Sequence, residues 1–525
     1  MIFSHSVVAL VAALGFVSAA PVWNPVMTTS KGQISGLDSD IARRFTMPYA
    51  QAPVGSLRFS RPQPLSHFNG TGIYDGTKLP PACLQNDSAT GGHREQSEDC
   101  LYMNIFTPKN IAFDTKLPVF VWVHGGSFVE GGIADIDGSN LAASQNMIVV
   151  TVQYRLGVFG WSRGPGATGM EGNYGLRDLI AALETVKQDI SAFGGDASRV
   201  TLAGQSSGAQ MVNALLSAPS ASSLFQRAIV QSAPLDYKPQ SPQLAEKITT
   251  KLMQEYLGNR PTRNLLRGVK SDAEILGAQR AITGDAAVNN LFGAPQAEAF
   301  NIVLDDQLIS GDTNSIANSG KQVIYTTVKD EACVAVFGGE QLAQVVFDIQ
   351  PNDFEGLVGY SFPSRAQSIL DSKLYQPASD AEVSDELIEL TTDFAWTCAT
   401  QRNALASAGG SSVYLGEFDL GVQTLFNSNV PFCQGKVAHE DDIAVVFNTP
   451  SSGLSSAQTA LIKEVQARWG AFARTGNPNP SGYSNWPALP SSGGIHLLQL
   501  GNNSNGGSSL ATAQRTDACK LYSSI

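Results

Sequence analysis

Apolar residues recur along this 525-residue chain with two alternating periodicities. Short runs of β-branched and aromatic residues at 118–123 and 147–154 predict buried strands. Between residues 176 and 193, apolar residues instead recur every three or four positions, which predicts a helix that ends before Gly194. This alternation predicts an α/β fold: a large, mostly parallel central sheet flanked by helices, with inserted loops and helices.

The stretch 200–208 contains a predicted turn that connects a strand to a helix. Residues 200–202 read as the end of a buried strand, and residues 209–217 read as a helix. Between them, Gly204, Ser206 and Gly208 form a G-x-S-x-G motif. In a strand–turn–helix context this motif is typical of a nucleophile elbow, where small neighbours let a tight turn present the serine. We therefore predict that Ser206 is a catalytic nucleophile; a structural serine in a turn is the alternative.

Composition and charge limit the class of protein. A hydrophobic content of 43% predicts a large core, and no linker or repeat divides the chain. We therefore predict one domain over residues 20–525, although the length alone favours more. The net charge of −12 argues against a nucleic-acid partner, because such proteins need a basic surface.

Residues 1–19 are typical of a secretory signal peptide, with an apolar run at 7–17 and small residues before Ala20. The apolar run is too short to span a bilayer, and no later segment is long enough, so we expect no stable membrane insertion. We predict a secreted, extracellular protein. Its six cysteines fit an oxidising compartment. Asn69, Asn86 and Asn502 open N-x-[ST] sequons and are candidate glycosylation sites.

A serine nucleophile requires a base that accepts its proton. In chains with a nucleophile elbow of this type the order is serine, acid, histidine, so the base should follow Ser206. Of the six histidines, only His439 and His496 do so. His496 lies in an apolar run that reads as a strand, whereas His439 lies in a polar loop. We therefore predict that His439 is the base.

Motifs along nearly the whole mature chain resemble those of the type-B carboxylesterase/lipase family, the α/β-hydrolases that include the cholinesterases. They lie at residues 44–50, 98–102, 124–126, 172–176, 204–208, 469, 472–479 and 486–487. The resemblance implies one large catalytic domain. It also implies a serine carboxylic-ester hydrolase that forms an acyl-enzyme, acts on a small-molecule ester and needs neither metal nor cofactor.

The resemblance also assigns the remaining catalytic groups. Asp330 and Glu331 follow a predicted strand at 323–326, and the family's Asp-Glu-Gly pattern makes Glu331 the triad acid, with Asp330 as the alternative. Ala332 replaces the glycine of that pattern.

An oxyanion hole needs backbone N–H groups that point at the developing negative charge. The sequence predicts Gly125, Gly126 and Ser207 as the donors. The family usually has alanine at position 207 and glutamate where this chain has Gln205, and neither difference removes a backbone donor.

The same resemblance implies disulfides Cys83–Cys100 and Cys398–Cys519. Cys333 and Cys433 then remain, close in sequence to the predicted acid and base. We hypothesise that they join the two loops in a third bridge; free or differently paired thiols are the alternative.

The segment between Cys83 and Cys100 bears on the substrate. In cholinesterases it carries a tryptophan that holds choline, and in lipases it forms an apolar lid. Here it is short and polar and has no aromatic residue. We predict no cholinesterase activity and little interfacial activation. A general carboxylesterase, a lipase or sterol esterase, and a feruloyl or chlorogenate esterase remain open. A non-catalytic adhesion member is disfavoured because the triad residues are present. The sequence does not predict the oligomeric state.

Overall fold

A computed structural model gives the architecture of the chain. It describes residues 25–86, 95–111, 115–258, 262–268, 271–283, 299–305, 307–309, 320–337, 344, 348–450, 453–490, 494–512 and 515–524. The predicted signal peptide and residues 87–94 of the segment between Cys83 and Cys100 lie outside this part of the chain.

The described residues form sixteen strands. In chain order they are β1 (Val26–Thr29), β2 (Gly32–Ser35), β3 (Leu37–Asp38), β4 (Ala42–Pro48), β5 (Tyr74–Asp75), β6 (Ala82–Cys83), β7 (Gln96–Ser97), β8 (Tyr102–Pro108), β9 (Leu117–Val123), β10 (Ile148–Val152), β11 (Gly195–Gln205), β12 (Arg227–Gln231), β13 (Gln322–Val328), β14 (Val413–Phe418), β15 (His496–Leu500) and β16 (Ser509–Thr512).

Eleven of these strands form one sheet in the order β16-β15-β14-β13-β12-β11-β9-β10-β8-β4-β3. The seven strands from β15 to β10 pair in parallel, and the strands at both edges are antiparallel. The predicted α/β fold with a mostly parallel sheet is therefore confirmed.

Helices cover both faces of the sheet. They are α1 (Ser139–Gln145), α2 (Gly157–Trp161), α3 (Tyr174–Asp189), α4 (Ser207–Ser217), α5 (Pro242–Lys251), α6 (Arg263–Arg267), α7 (Asp272–Thr283), α8 (Phe354–Ser361), α9 (Ala366–Ser372), α10 (Val383–Thr391), α11 (Cys398–Ala408), α12 (Leu425–Asn429), α13 (Ile443–Phe447), α14 (Ser456–Thr475) and α15 (Thr516–Ser524). None of the described helices is long and apolar enough to cross a bilayer.

Strand β9 shows how the sheet divides the core. All seven of its residues are buried, as expected for a central parallel strand. Its side chains alternate between faces, so Val121 packs in the cluster that contains α3 and α4, while Trp122 packs in the cluster that contains α1 and α14. The strand predicted at 118–123 is one residue longer, and the predicted helix ends in a 3₁₀ turn at Ile190–Phe193 before Gly194.

Two disulfides are formed, Cys83–Cys100 and Cys398–Cys519. Cys333 and Cys433 are free and buried, so the structure does not contain the third bridge that the sequence suggested. The neighbouring Cys433 side chain, together with burial, raises the pKa of the Cys333 thiol.

Candidate active site

Ser206 lies in the turn between β11 and α4. Its backbone adopts φ 56° and ψ −129°, a strained conformation for a residue with a side chain. Glycine is required on both sides of the serine because neighbouring backbone leaves no room for a side chain. A Cβ on Gly204 would lie 2.7 Å from the backbone of Gly208, and one on Gly208 would lie 2.3 Å from the carbonyl oxygen of Val123. The turn therefore has the geometry expected of a nucleophile elbow.

The loop after β9 passes beside this turn. Gly126 and Ser127 both have positive φ angles, 102° and 51°, and both line one cavity with Ser206. Gly125 instead packs behind the serine, because a Cβ there would lie 2.9 Å from the Ser206 Cβ. The Phe128 backbone N–H donates to Ser207 Oγ at 3.2 Å and ties the loop to the start of α4. Ser127 was missed in the sequence because only its glycine neighbours carry a motif.

The acid and base candidates meet in the same cavity. His439 Nδ1 lies 2.5 Å from Glu331 Oε2, and Glu331 is only 1% exposed. The other Glu331 oxygen accepts a hydrogen bond from the Val328 N–H at 2.9 Å. Asp330 has a different role: its carboxylate accepts from the Val437 N–H at 3.0 Å and joins the two loops. The two acidic residues that the sequence left as alternatives therefore make different contacts, and only the Glu331 carboxylate contacts the His439 ring.

The electrostatics of His439 favour its charged form. Burial lowers the pKa of this imidazole, but the charge of Glu331 and the hydrogen bond to it outweigh that effect. The net result is a pKa raised from the ordinary histidine value. Because Nδ1 faces Glu331, Nε2 is the atom left to accept a proton. Gln205 Nε2 lies 3.2 Å from it, in a position to donate.

A buried carboxylate lies behind the pair. Asp442 is fully buried and accepts a hydrogen bond from Gln231 Nε2 at 2.6 Å. Burial, followed by the neighbouring Glu331 charge, raises the pKa of Asp442, whereas the hydrogen bond from Gln231 and the charge of His439 lower it; the net pKa is about 7. No sequence pattern marked Asp442, since its role depends on which strands and loops surround it.

The cavity that these groups share has a volume of about 360 Å³. Its walls include polar groups and several apolar side chains: Gly126, Ser127, Glu130, Ser206, Pro234, Tyr237, Glu331, Val334, Ala335, Trp396, Phe426, Asn427, His439 and Glu440. The Trp396 ring centroid lies 5.5 Å from that of His439, and its indole N–H donates to the Ser232 carbonyl oxygen at 3.1 Å. Within the described residues, no group of acidic, histidine or cysteine side chains is arranged to hold a metal ion.

Comparison with known proteins identifies the family. Residues 23–521 match the model of the carboxylesterase family, and the chain belongs to that family. It is 29% identical to carboxylesterase 1C of Rattus norvegicus, with 92% of each chain covered. It is 30% identical to the medium-chain fatty acyl-CoA hydrolase precursor of Anas platyrhynchos, over 88% of this chain and 86% of that protein.

Solved structures agree with this assignment. A thermophilic PNB esterase superimposes with a TM-score of 0.78 and 26% sequence identity, over 95% of this chain and 100% of the other. The protein is therefore a carboxylic-ester hydrolase with the α/β-hydrolase fold, and its substrate is a small-molecule ester.

Proposed function

We propose that the protein hydrolyses its ester through an acyl-enzyme on Ser206, with His439 as general base and Glu331 as the orienting acid. The observation that carries the proposal is the 2.5 Å contact between His439 Nδ1 and Glu331 Oε2, in the cavity that Ser206 enters from a strained turn. The reading of Ser206 as a structural turn residue does not account for that strain.

The chemistry follows from these positions. Ser206 Oγ attacks the ester carbonyl while His439 Nε2 accepts its proton, and Glu331 stabilises the imidazolium that forms. His439 then returns the proton to the leaving alcohol, and water releases the acid from the enzyme by the same two steps. Before the first proton transfer the Gln205 amide must move away from His439 Nε2, because its nitrogen occupies the position from which the Ser206 hydroxyl would donate to that atom.

The oxyanion hole is proposed to consist of the backbone N–H groups of Gly126, Ser127 and Ser207. Gly126 and Ser127 line the catalytic cavity, and Ser207 is the first residue of α4 after the nucleophile. Gly125, which the sequence favoured, packs against Ser206 from behind and is replaced in this proposal by Ser127. Each donor contributes about 3–4 kcal/mol of transition-state stabilisation in related chemistry.

Turnover of p-nitrophenyl acetate tests the proposal directly. We expect Ser206→Ala to lower kcat by roughly 10⁴-fold or more, because the covalent route is lost. Ser217→Ala, at the exposed end of the same helix, is the matched control and should retain full activity. A phosphonate ester should label the peptide that contains Ser206 in the control variant. Substantial turnover by Ser206→Ala would exclude this serine as the nucleophile.

We further propose that the protein is secreted and glycosylated. The two disulfides fit an oxidising compartment, and Asn69 and Asn502 are exposed, whereas Asn86 is half-buried. Expression with the native leader should release into the medium a protein that begins at Ala20 and loses mass on enzymatic removal of N-glycans. Retention in the cell with an intact N-terminus would contradict this proposal.

A further inference from the structure

The segment between Cys83 and Cys100 contacts the loop that carries two of the proposed oxyanion donors. Gln85 belongs to this segment, is 8% exposed, and places its side-chain amide against the backbone of Gly131. Gln85 Nε2 donates to the Gly131 carbonyl oxygen at 2.9 Å, and Gln85 Oε1 accepts from the Gly131 N–H at 3.0 Å. Because hydrogen bonds are directional, this pair fixes both the position and the orientation of the Gly131 backbone.

Gln85 is itself held by the disulfide-bonded segment. Its Nε2 also donates to the Cys83 carbonyl oxygen at 3.0 Å, and its backbone N–H donates to Gln96 Oε1 at 3.0 Å. The Cys83–Cys100 disulfide and the parallel pairing of β6 with β7 close the segment around these residues. The side chain of Gln85 therefore connects a covalently closed segment to Gly131.

Gly131 lies where the loop after β9 returns to its own beginning. Its φ is 107°, and a Cβ there would lie 2.5 Å from His124 Nδ1 and 2.8 Å from the Gly125 carbonyl oxygen. The residue before it, Glu130, donates its backbone N–H to the Gly126 carbonyl oxygen at 2.9 Å. A displacement of Gly131 would therefore be transmitted to the part of the loop that carries the proposed donors.

A different set of contacts holds the middle of this loop. The Phe128 N–H donates to Ser207 Oγ, and the Phe128 carbonyl oxygen accepts from the Gly157 N–H at 2.7 Å. Gln85 holds the end of the loop, from the opposite direction. An oxyanion hole is effective only if its N–H groups are oriented before the charge develops, so both contacts bear on catalysis.

We propose that Gln85 is a positioning residue of the esterase: by holding Gly131, it orients the backbone N–H groups of Gly126 and Ser127 toward the oxyanion. Gln85 does not line the catalytic cavity and acts only through the loop. The inference rests on the proposed function, because it takes this loop to be part of the oxyanion hole. It gives the segment between Cys83 and Cys100 a role in the rate as well as in stability.

Gln85→Met tests the proposal, because methionine has a similar size but makes neither hydrogen bond to Gly131. The probes are a hexyl trifluoromethyl ketone, which adds to a serine Oγ and forms an oxyanion, and the matching hexyl methyl ketone as a ground-state control. We expect kcat for p-nitrophenyl acetate and affinity for the trifluoromethyl ketone to fall together, by roughly tenfold or more. The KM and the affinity for the methyl ketone should change by less than about twofold.

Gln153→Met is the matched control. Gln153 is buried, and its Nε2 donates to the carbonyl oxygens of Pro81 and Cys100, both at 2.8 Å, so it holds the base of the same segment rather than the loop. It should lower the temperature of thermal unfolding about as much as Gln85→Met does and leave kcat within about threefold. An equal loss of trifluoromethyl ketone affinity in both variants, or no loss in Gln85→Met, would overturn the proposal.

Gln85→Glu keeps the test decisive if Gln85→Met does not fold. Near neutral pH the new carboxylate can only accept hydrogen bonds, and it faces the carbonyl oxygens of Gly131 and Cys83, so kcat should be low. Protonation restores one donor, so kcat relative to the unmodified enzyme at the same pH should rise as the pH falls. A ratio that does not change with pH would contradict the role of Gln85.

Failure of the proposed function would give a different result. The unmodified enzyme would then bind the trifluoromethyl ketone no more tightly than the methyl ketone, and Ser206→Ala would retain turnover. If only the inference about Gln85 is wrong, the unmodified enzyme still prefers the trifluoromethyl ketone, and Gln85→Met keeps that preference in full.

Discussion

The nucleophile and the acid–base pair share one cavity but are built differently. Ser206 depends on a contiguous turn, in which neighbouring backbone excludes any side chain at Gly204 and Gly208. The contact between Glu331 and His439 instead joins residues 108 positions apart. Two hydrogen bonds align the loops for it: the Asp330 N–H donates to the Val437 carbonyl oxygen, and the Val437 N–H donates to the Asp330 carboxylate. We therefore expect the turn to be disrupted by substitutions that introduce a steric clash, and the acid–base pair to be disrupted by substitutions that remove a charge. Four changes test that distinction, and we order them by the expected change in free energy, whether of activation or of unfolding.

Removal of the charge on the acid should have the largest effect. Glu331→Gln keeps the shape of the side chain but leaves His439 without the charge that stabilises its imidazolium. We expect kcat for p-nitrophenyl acetate to fall by roughly 10⁴-fold with little change in thermal unfolding. Because Glu331 raises the pKa of His439, the acid limb of the kcat/KM profile should also move to lower pH.

Asp330→Asn is the matched control for this change. The new amide oxygen can still accept from the Val437 N–H, so the loops remain aligned. Its rate should stay close to that of the unmodified enzyme. If Asp330→Asn lowers kcat more than Glu331→Gln does, the two acidic residues have been assigned in the wrong order.

A methyl group at the turn should affect both rate and stability. The new Cβ of Gly208→Ala would meet the carbonyl oxygens of Val123 and His124 at 2.3 and 2.4 Å, so the backbone must shift. We expect a loss of about 1–3 kcal/mol in the free energy of unfolding and roughly 10²-fold in kcat, because the serine moves from its working position. Thermal unfolding and turnover should decrease together.

Gly277→Ala shows what the same substitution does without a clash. Gly277 lies in helix α7, and an added Cβ meets no atom within 4 Å. Alanine there should stabilise the protein by up to about 1 kcal/mol and leave kcat unchanged. Equal losses at the two positions would show that the turn has no special steric requirement.

The sequence predicted the turn better than the acid–base pair, because the turn is built from neighbouring residues whereas the pair joins residues that are distant along the chain. The strand, turn and helix at Ser206 follow from the local periodicity of apolar residues and from the positions of Gly204 and Gly208, so the sequence alone predicts where the turn lies. His439 followed from chain order, but the choice between Asp330 and Glu331 required the family pattern. Ser127 was missed because its importance depends on how the loop after β9 folds against the turn.

Oxidation of the adjacent thiols should have a larger effect on stability than on rate. We propose that Cys333 and Cys433 form a disulfide when an oxidised thiol compound such as glutathione disulfide accepts their two electrons and two protons. A bridge across so long a loop typically adds about 2–4 kcal/mol to the free energy of unfolding. Peptide mapping without reduction should recover the linked peptides from protein matured in the secretory route.

The double variant Cys333→Ser/Cys433→Ser is the control for this bridge. It should unfold at the temperature of the reduced enzyme, whether or not glutathione disulfide is present. Recovery of either cysteine as an alkylated thiol from the native secreted protein would contradict the proposal. The acid and base loops would then depend only on the contacts of Asp330 and on packing.

The smallest effect is expected where the two regions touch. Gln205, next to the nucleophile, is fully buried, and its amide nitrogen lies 3.2 Å from His439 Nε2. Gln205→Glu replaces a neutral donor with a carboxylate that stabilises the imidazolium. We expect the pKa of His439 to rise, so that the acid limb of the kcat/KM profile moves to higher pH. The rate on the plateau should change by less than about tenfold, as for one neutral hydrogen bond.

Gln188→Glu adds the same charge at an exposed position on α3 and controls for long-range electrostatics. It should leave the profile in place, because a charge in water is screened from the cavity. A matching shift in both variants would mean that net charge rather than the contact sets the profile. If only Gln205→Glu shifts it, the residue beside the nucleophile also tunes the base, and the turn and the acid–base pair act as one coupled unit.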